Sequence, residues 1–484
     1  MTERIRIDAL MQRTGVQFGT SGARGLAHSM TNGLCHAYTS GFLSFLEKQK
    51  ELNKNGEFVA VAGDLRPSTG RIMEAITQAV HDKGYNPVNC GRIPTPTVAL
   101  YGFDQRIPSI MVTGSHIPAD RNGIKFNKCS GEILKDDESY MMEQVVDYQE
   151  NVKITELFDE NNQPLDNYIK RYTELFPSDC LSGLRIGVYQ HSAVGREVIV
   201  HILKELGAQT ISLGFSDNFI PVDTEAIRDE DVDLAKKWSQ EYNLDSIVST
   251  DGDSDRPLIS DENGHWLRGD LVGILVAQFL GANSIHTPIS SNTALEKCEW
   301  FSDINRTKIG SPYVISSMQE AEQREQTKVV GYEANGGFLV QSDFNLYGKK
   351  ITSLPTRDAI LPILSILVTA AKNKKTISEC VDILPARFTV SDRIQNFPLE
   401  KSMMLIDQFQ NHSEIEKVFG ELFGSILKID QTDGLRITFN SEDILHIRPS
   451  GNAPEFRCYN ESGSLERALY MQKQAMEKLN TLKD

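Results

Sequence analysis

The chain has 484 residues, of which 40% are hydrophobic and 24% charged, with 50 Lys plus Arg against 66 Asp plus Glu and a formal net charge of −16. That length exceeds one domain, about three being expected at roughly 150 residues each, and the composition is that of a folded, water-soluble chain, which excludes disorder. The acidic balance excludes a general binder of nucleic-acid backbone, which needs clustered basic charge, so any anionic ligand must find positive charge locally.

The opening MTERIRIDAL puts charges where a secretory signal needs its apolar core, so neither export nor an N-terminal anchor is expected and a cytoplasmic location is predicted. Val59 to Arg71 (VAVAGDLRPSTGR) reads as a buried strand and a polar loop ending at Gly70 and Arg71. An amphipathic helix follows, with Ile72, Ile76, Ala79 and Val80 on one face, and stops at Gly84. Arg185 to Arg196 (RIGVYQHSAVGR) repeats the pattern, its helix carrying Val198, Ile199, Ile202, Leu203 and Leu206 before Gly207. In both copies a second glycine follows at the same interval, Gly91 after Gly84 and Gly214 after Gly207. Strand, crossover helix and next strand make a βαβ unit, and two copies predict two related α/β domains; the alternative is that any two such units look alike. A third strand, His286 to Ser291, precedes the loop TKIGSPY and predicts a further α/β domain. The apolar stretches Leu271 to Ala282 and Ala359 to Ala371 fall short of the roughly 20 residues that cross a bilayer and are read as buried helices. The C-terminal part pairs strands Leu435 to Phe439 and Ile444 to Arg448 with a last helix from about Ser464 to Leu482. Seven cysteines (Cys35, Cys90, Cys129, Cys180, Cys298, Cys380 and Cys458), odd in number and without a CxxC pair, read as reduced thiols.

Four segments carry chemistry. In Ser109 to Phe126 (SIMVTGSHIPADRNGIKF) an apolar strand runs into Thr113, Gly114, Ser115 and His116, with an Asn122-Gly123 turn after them. Ser115 is there either a nucleophile at a strand end or a hydroxyl that caps a turn. Neither a GxSxG elbow, because Ile117 stands two after Ser115, nor a phosphate-binding GxxxxGK[ST] loop is present. In STDGDSDRP, Asp251, Asp253 and Asp255 alternate in a short loop and suit one hard divalent cation bound through oxygen. An EF-hand would need glycine where Arg256 stands and a helix where a strand precedes; a phosphatase-type DxD pair with Asp251 as nucleophile and a solvated acidic turn are the other readings. VVGYEANGGF offers Glu333 and Asn335 to sugar hydroxyls, or a glycine-rich hairpin turn. In HIRPSGNAPEFRCY, Ser450, Gly451 and Asn452 form a tight loop flanked by Arg448 and Arg457. This is either an anion nest or a turn with two surface ion pairs.

In this order the four segments resemble those of the α-D-phosphohexomutase superfamily, the bacterial phosphomannomutase/phosphoglucomutase type above all. TGSHIPADRNGIKF is similar to its phosphoserine loop, DGDSDR to its magnesium loop, GYEANGG to its sugar loop, RPSGNAPEFR to its phosphate loop, and FGTSGARG to its N-terminal signature, so the match spans about residues 18 to 459. The resemblance implies an α/β chain of four domains around a central cleft, three related mixed α/β domains (residues 1–165, 166–263 and 264–388) and a C-terminal α+β domain (389–484). It implies that Ser115 bears the phosphoryl group, that Asp251, Asp253 and Asp255 hold Mg²⁺ together with Ser115, and that Arg24 and Arg256 brace the same phosphate. Lys125 and His116 match positions linked to proton transfer; Lys308, Gly310, Ser311, Glu333 and Asn335 match sugar contacts; Arg448, Ser450, Gly451, Asn452 and Arg457 match the grip on the non-reacting phosphate.

The implied reaction interconverts hexose 1-phosphate and hexose 6-phosphate, of mannose or glucose, through a phosphoserine enzyme and a hexose 1,6-bisphosphate that turns around in the cleft and also serves as activator. The implied partner is a small phosphosugar, with no nucleic acid and no membrane, and the implied assembly is a monomer or homodimer. The chain departs from the family pattern at Gly114, usually alanine, at Ile117, usually asparagine, at Asn335, usually serine, and at Asn452 to Pro454, usually Thr-Glu-Pro. The rival readings are a phosphoglucosamine mutase, a metal-dependent phosphatase using the DxD loop, and a non-catalytic sugar-phosphate sensor on the same scaffold.

Overall fold

A computed structural model of the chain describes residues 2–19, 21–52, 57–450 and 455–482. The strands that read as unbroken apolar runs sit inside parallel ladders, where crossover helices bury both faces of a strand. Phe58–Gly63 runs parallel to Asn86–Arg92 on one side and Ser109–Val112 on the other, and Arg121–Lys128 follows antiparallel to the latter. The same order recurs with Arg185–His191 between Gln209–Phe215 and Ser246–Thr250, with Pro257–Ile259 antiparallel outside. It recurs again with Ser284–Pro288 between Asp303–Thr307 and Val329–Tyr332, with Phe338–Val340 antiparallel. Three units thus share one topology, although the sequence displays it clearly in two. In the first two, Gly84 (φ +87°) and Gly207 (φ +92°) follow the crossover helices Thr69–Asp82 and Arg196–Glu205 in the left-handed conformation that glycine adopts without steric cost.

The repeat places the chemistry. In each unit the turn from the third strand into its antiparallel neighbour carries one of the polar motifs: residues 113–120, 251–256 and 333–337. These turns leave the carboxyl ends of parallel strands, where open α/β sheets hold their ligands. The C-terminal part is a separate antiparallel sheet in the order Phe388–Gln395, Glu455–Ser462, Ile444–Pro449, Leu435–Phe439, Ile426–Asp430, packed against the helix Leu465–Thr481. Its fourth polar loop again joins two antiparallel strands.

Two apolar clusters belong to the first unit, the largest cluster joins Leu100 of that unit to the next two units from Tyr168 to Leu384, and another belongs to the C-terminal sheet. Tyr168 and Tyr172, on helix Gln163–Thr173, both donate to the buried carboxylate of Asp358, tying the second unit to the third across their common core. The two long apolar stretches are the buried helices Gly269–Leu280 and Ile360–Asn373, and no helix among the described residues is long and apolar enough to cross a membrane.

Three local expectations need correction. Asn122 and Gly123 lie within the strand Arg121–Lys128, and the reversal comes earlier, at Gly114 to Arg121, closed by Ile117 N donating to Gly114 O and Arg121 N to Pro118 O. Gly70 and Arg71 belong to the first turn of their helix, which starts at Thr69. The third strand ends at Pro288, where Ser291 N donates back to Pro288 O and closes a turn.

Candidate active site

Ser115 stands at the mouth of the first unit with a left-handed backbone (φ +54°) and no solvent exposure. A non-glycine residue in that region stores strain of about 1–3 kcal/mol and persists only where its surroundings hold it. Here they do. Thr113 Oγ1 accepts from Ser115 N (2.7 Å) and donates to Asp64 Oδ2 (2.7 Å), so the turn is capped by Thr113 and the Ser115 hydroxyl is left for other work. The fully buried Arg66 guanidinium donates to the carbonyls of Ser115 (2.7 Å), Ile117 (2.5 Å), Pro118 (2.7 Å) and Arg121 (3.0 Å), and packs 4.0 Å above the Phe219 ring of the second unit.

Arg66 explains Gly114. A β-carbon there would lie 2.7 Å from Arg66 Cζ and 2.9 Å from its Nε. Gly114→Ala is therefore expected to displace the loop, lowering stability by about 1–3 kcal/mol and turnover with it. Urea denaturation and kcat check this, and a variant with unchanged values for both sinks the account.

The Ser115 hydroxyl donates to Asp251 Oδ2 at 2.5 Å, although 136 positions separate the two residues. Asp251, Asp253 and Asp255 are all fully buried and offer ligand atoms within 4.8 Å of one another, the one such cluster of three among the described residues. A solvated acidic turn is thereby excluded. Burial and the neighbouring Asp253 and Asp255 carboxylates push the Asp251 carboxyl well above its ordinary range. For Asp253, burial is outweighed by the Lys125 ammonium together with the Thr95 hydroxyl, and for Asp255 by the combined pull of Arg357, Lys125 and Arg256, so both are held below the ordinary range. Lys125 Nζ donates to Asp253 Oδ2 and Asp255 Oδ2 at 2.7 Å each, and Thr95 Oγ1 donates to Asp253 Oδ2 at 2.6 Å.

These partners leave Asp253 Oδ1 and Asp255 Oδ1 buried with no hydrogen-bond partner. Two orphaned carboxylate oxygens beside a third carboxylate form an all-oxygen donor set that fits a hard divalent cation. The protein group next to it is positive: burial, Arg256 and Arg357 together bring the half-buried Arg24 guanidinium down to about 10. Three guanidiniums that repel one another are relieved by a multiply charged anion such as a phosphate. His116 Nδ1 accepts from Arg256 Nη1 at 2.9 Å and lies 3.3 Å from Ser115 Oγ, while its Nε2 faces Asp223 Oδ2 at 3.8 Å. Burial and Arg256 hold the imidazole down to about 3, so it is neutral at pH 7.

The third unit brings Glu333 and Asn335, both buried. Asn335 Oδ1 accepts from Gly337 N at 2.9 Å, so this segment is also the glycine-rich hairpin that its sequence allowed. Ser311, buried at the start of helix Ser311–Gln323, follows the buried Gly310, whereas Lys308 is exposed with its ammonium 5.8 Å over the Tyr313 ring. Lys308 sits on the rim towards the C-terminal sheet: Ile309 N donates to Asp433 Oδ2 (2.8 Å), and Asp433 Oδ1 pairs with Arg448 Nε (3.0 Å). Arg448 and Arg457 are directly opposed across an antiparallel pair, an arrangement of like charges that costs stability unless an anion offsets it. Ser450 is buried beside them; Gly451 and Asn452 lie outside the described residues.

Sequence reasoning missed Asp64, Arg66, Asp223 and Arg357. Asp64 and Arg66 follow the first strand in a segment read only as a polar loop, and a charged pair immediately after a buried strand was the available signal. Arg357, on the strand Leu354–Asp358, had none.

Comparison with known proteins agrees with this geometry. Family models described as phosphoglucomutase/phosphomannomutase alpha/beta/alpha domains I, II and III match residues 15–152, 166–264 and 268–388. A phosphomannomutase of Salmonella muenchen is 43% identical over 460 residues, covering 95% of this chain and 94% of its own. A phosphomannomutase of Sinorhizobium fredii is 41% identical over 473 residues, covering 96% and 99%. Among solved structures, a phosphoglucomutase/phosphomannomutase family protein from Burkholderia thailandensis superposes with a TM-score of 0.74 at 18% identity, over 97% of this chain and 98% of its own, a likeness of fold.

Proposed function

The chain belongs to the phosphoglucomutase/phosphomannomutase family and is a phosphohexomutase; on that premise we propose that it interconverts the 1- and 6-phosphates of mannose, and of glucose as second substrate, with Ser115 as the phosphoryl carrier. The observation that carries the reading is the 2.5 Å contact between Ser115 Oγ and Asp251 Oδ2, which brings a hydroxyl and three carboxylates from two different units into one pocket. Mannose is placed first because both relatives quoted above bear the name phosphomannomutase.

In this reading a sugar hydroxyl attacks phosphorus on Ser115, the bond from phosphorus to Ser115 Oγ breaks, and a hexose 1,6-bisphosphate results. Asp251, Asp253 and Asp255 would hold Mg²⁺, which supplies electrostatic stabilisation of the charge that develops on the transferring phosphoryl oxygens. Arg24 and Arg256 stabilise the same charge through donated N–H groups. Because Arg256 already occupies His116 Nδ1, His116 is assigned the holding of that guanidinium, and Lys125 the proton exchange between Ser115 Oγ and the sugar hydroxyl. Arg448, Ser450 and Arg457, with Gly451 and Asn452, grip the distant phosphate, while Glu333, Asn335, Ser311, Gly310 and Lys308 face the sugar. The bisphosphate then reorients and returns its other phosphate to Ser115. A C-terminal sheet with its own core is suited to the hinge motion such a turn requires.

The test is turnover of mannose, glucose and glucosamine 1-phosphates with Mg²⁺ and a trace of hexose 1,6-bisphosphate. Mannose and glucose phosphates are expected to react, and Lys125→Met to lose about 10²–10⁴-fold in kcat. Highest kcat/KM on glucosamine 1-phosphate overturns the sugar assignment. Tight bisphosphate binding without turnover turns the reading into a sensor, and near-normal turnover by Lys125→Met removes Lys125 from its step.

A further inference from the structure

The cation loop and the sugar loop come from different units, yet one side chain holds both. Arg357 is almost completely buried, on the strand Leu354–Asp358 at the edge of the third sheet. Its Nε and Nη2 lie 3.0 Å from Asp255 Oδ2, and its Nη1 donates to Glu333 Oε2 at 3.1 Å and to Ser311 Oγ at 3.0 Å. Ser311 Oγ in turn lies 3.5 Å from Glu132 Oε2, and Thr356 Oγ1 donates to Glu132 Oε1 at 2.5 Å, so the network reaches the first unit as well. The strand is pinned next to Arg357 by Asp358, which Tyr168 and Tyr172 hold. The sugar loop is shaped around the arginine stem: a β-carbon at Gly337 would lie 2.5 Å from Arg357 Cδ.

A rigid planar fork with donors on two edges can hold two carboxylates at a fixed separation, which a point charge on a flexible stem cannot. We propose that Arg357 is the positioning residue that couples the cation loop to the sugar loop, so that occupancy of Glu333 by sugar and occupancy of the Asp251–Asp253–Asp255 cluster by a divalent cation each alter the affinity for the other. The guanidinium is shared. When a sugar hydroxyl engages Glu333, the arginine's hold on that carboxylate weakens and its interaction with Asp255 strengthens, changing the charge that Asp255 presents to a cation. Coupling of this kind is reciprocal by thermodynamic necessity. The inference rests on the mutase reading for the identity of the sugar, but not for the coupling itself.

The experiment is a double-mutant cycle read as Mn²⁺ affinity by electron paramagnetic resonance titration of the purified full chain. Glu333→Gln alone, which frees the arginine to sit on Asp255, is expected to weaken Mn²⁺ binding by about fivefold or more. In the Arg357→Met background the same change is expected to shift it by less than about twofold. Arg357→Lys keeps a charge but not the fork and is expected to follow Arg357→Met. Gly337→Ala, which crowds the stem without removing charge, provides the cycle if Arg357→Met does not fold. Equal shifts in both backgrounds, no shift in the parent, or no Mn²⁺ binding by the parent overturns the proposal. Kinetics add a second readout: Arg357→Met should raise KM for the hexose phosphate and lower kcat, whereas simple loss of folded protein lowers kcat at constant KM. If the parent turns over no hexose phosphate, the mutase reading fails while the Mn²⁺ cycle still reports on Arg357.

Discussion

Ser115→Ala is expected to abolish hexose phosphate interconversion, with kcat falling by about 10⁴–10⁶-fold, the scale seen when a covalent carrier is removed from a catalytic unit. The argument is geometric. The hydroxyl is buried, its own loop takes its turn-capping bond from Thr113, and its single short contact is the 2.5 Å bond to Asp251. No hydroxyl in that position means no acceptor for the phosphoryl group between the two half-reactions. Folding should survive, because Arg66 holds the loop through backbone carbonyls that the substitution leaves in place. Intact mass of the parent after incubation with hexose 1,6-bisphosphate should show one added phosphoryl group, stable to acid and mapping to the peptide that contains Ser115; the variant should show none. Normal turnover by Ser115→Ala, or an acid-stable phosphate on another residue, removes Ser115 from the role. A hydroxylamine-labile phosphate on Asp251 would instead favour the DxD reading.

The residues legible in the sequence were those that stand together in short polar segments beside an apolar strand. Asp251, Asp253 and Asp255 alternate along one loop, so a ligand-like spacing is written into a single short segment, and Ser115 stands three residues beyond the end of a four-residue buried strand. Parallel strands with both faces covered, such as Phe58–Gly63 and Val329–Tyr332, stand out as apolar runs for the same reason. The C-terminal sheet was harder: Phe388–Gln395 keeps only Thr389 and Ile394 buried, so it shows neither an apolar run nor a strict alternation. Arg357 was invisible because nothing around it is local. Its partners lie 102 positions away at Asp255, 46 at Ser311 and 24 at Glu333, and an arginine on an edge strand is by default a surface residue. Arg66 is hidden similarly, since the carbonyls that it holds lie about fifty positions on.

Asp253→Asn carries the second largest expected loss, about 10³-fold in kcat with unaltered volume at the site. Asp253 does two things at once. Its Oδ2 receives Lys125 and Thr95, fixing the ammonium and joining the first unit to the second, while its Oδ1 is buried and free to meet a cation. Asparagine retains one acceptor and replaces the other oxygen with an amide N–H₂, so it can keep Thr95 or face a cation but cannot neutralise either positive partner. Lys125 keeps its second carboxylate at Asp255, so the ammonium is not stranded and the full cost of about 3–5 kcal/mol for breaking a buried pair is not expected. The loss should therefore appear in metal dependence more than in stability. The parent is expected to lose activity with EDTA and regain it with Mg²⁺, whereas Asp253→Asn should need far more Mg²⁺ and plateau at a lower rate. A variant that saturates at the parent's Mg²⁺ concentration and reaches its rate would mean that Oδ1 does not meet the cation. Asp251 and Asp255 alone would then define the site, and the orphaned Asp253 Oδ1 would require another explanation.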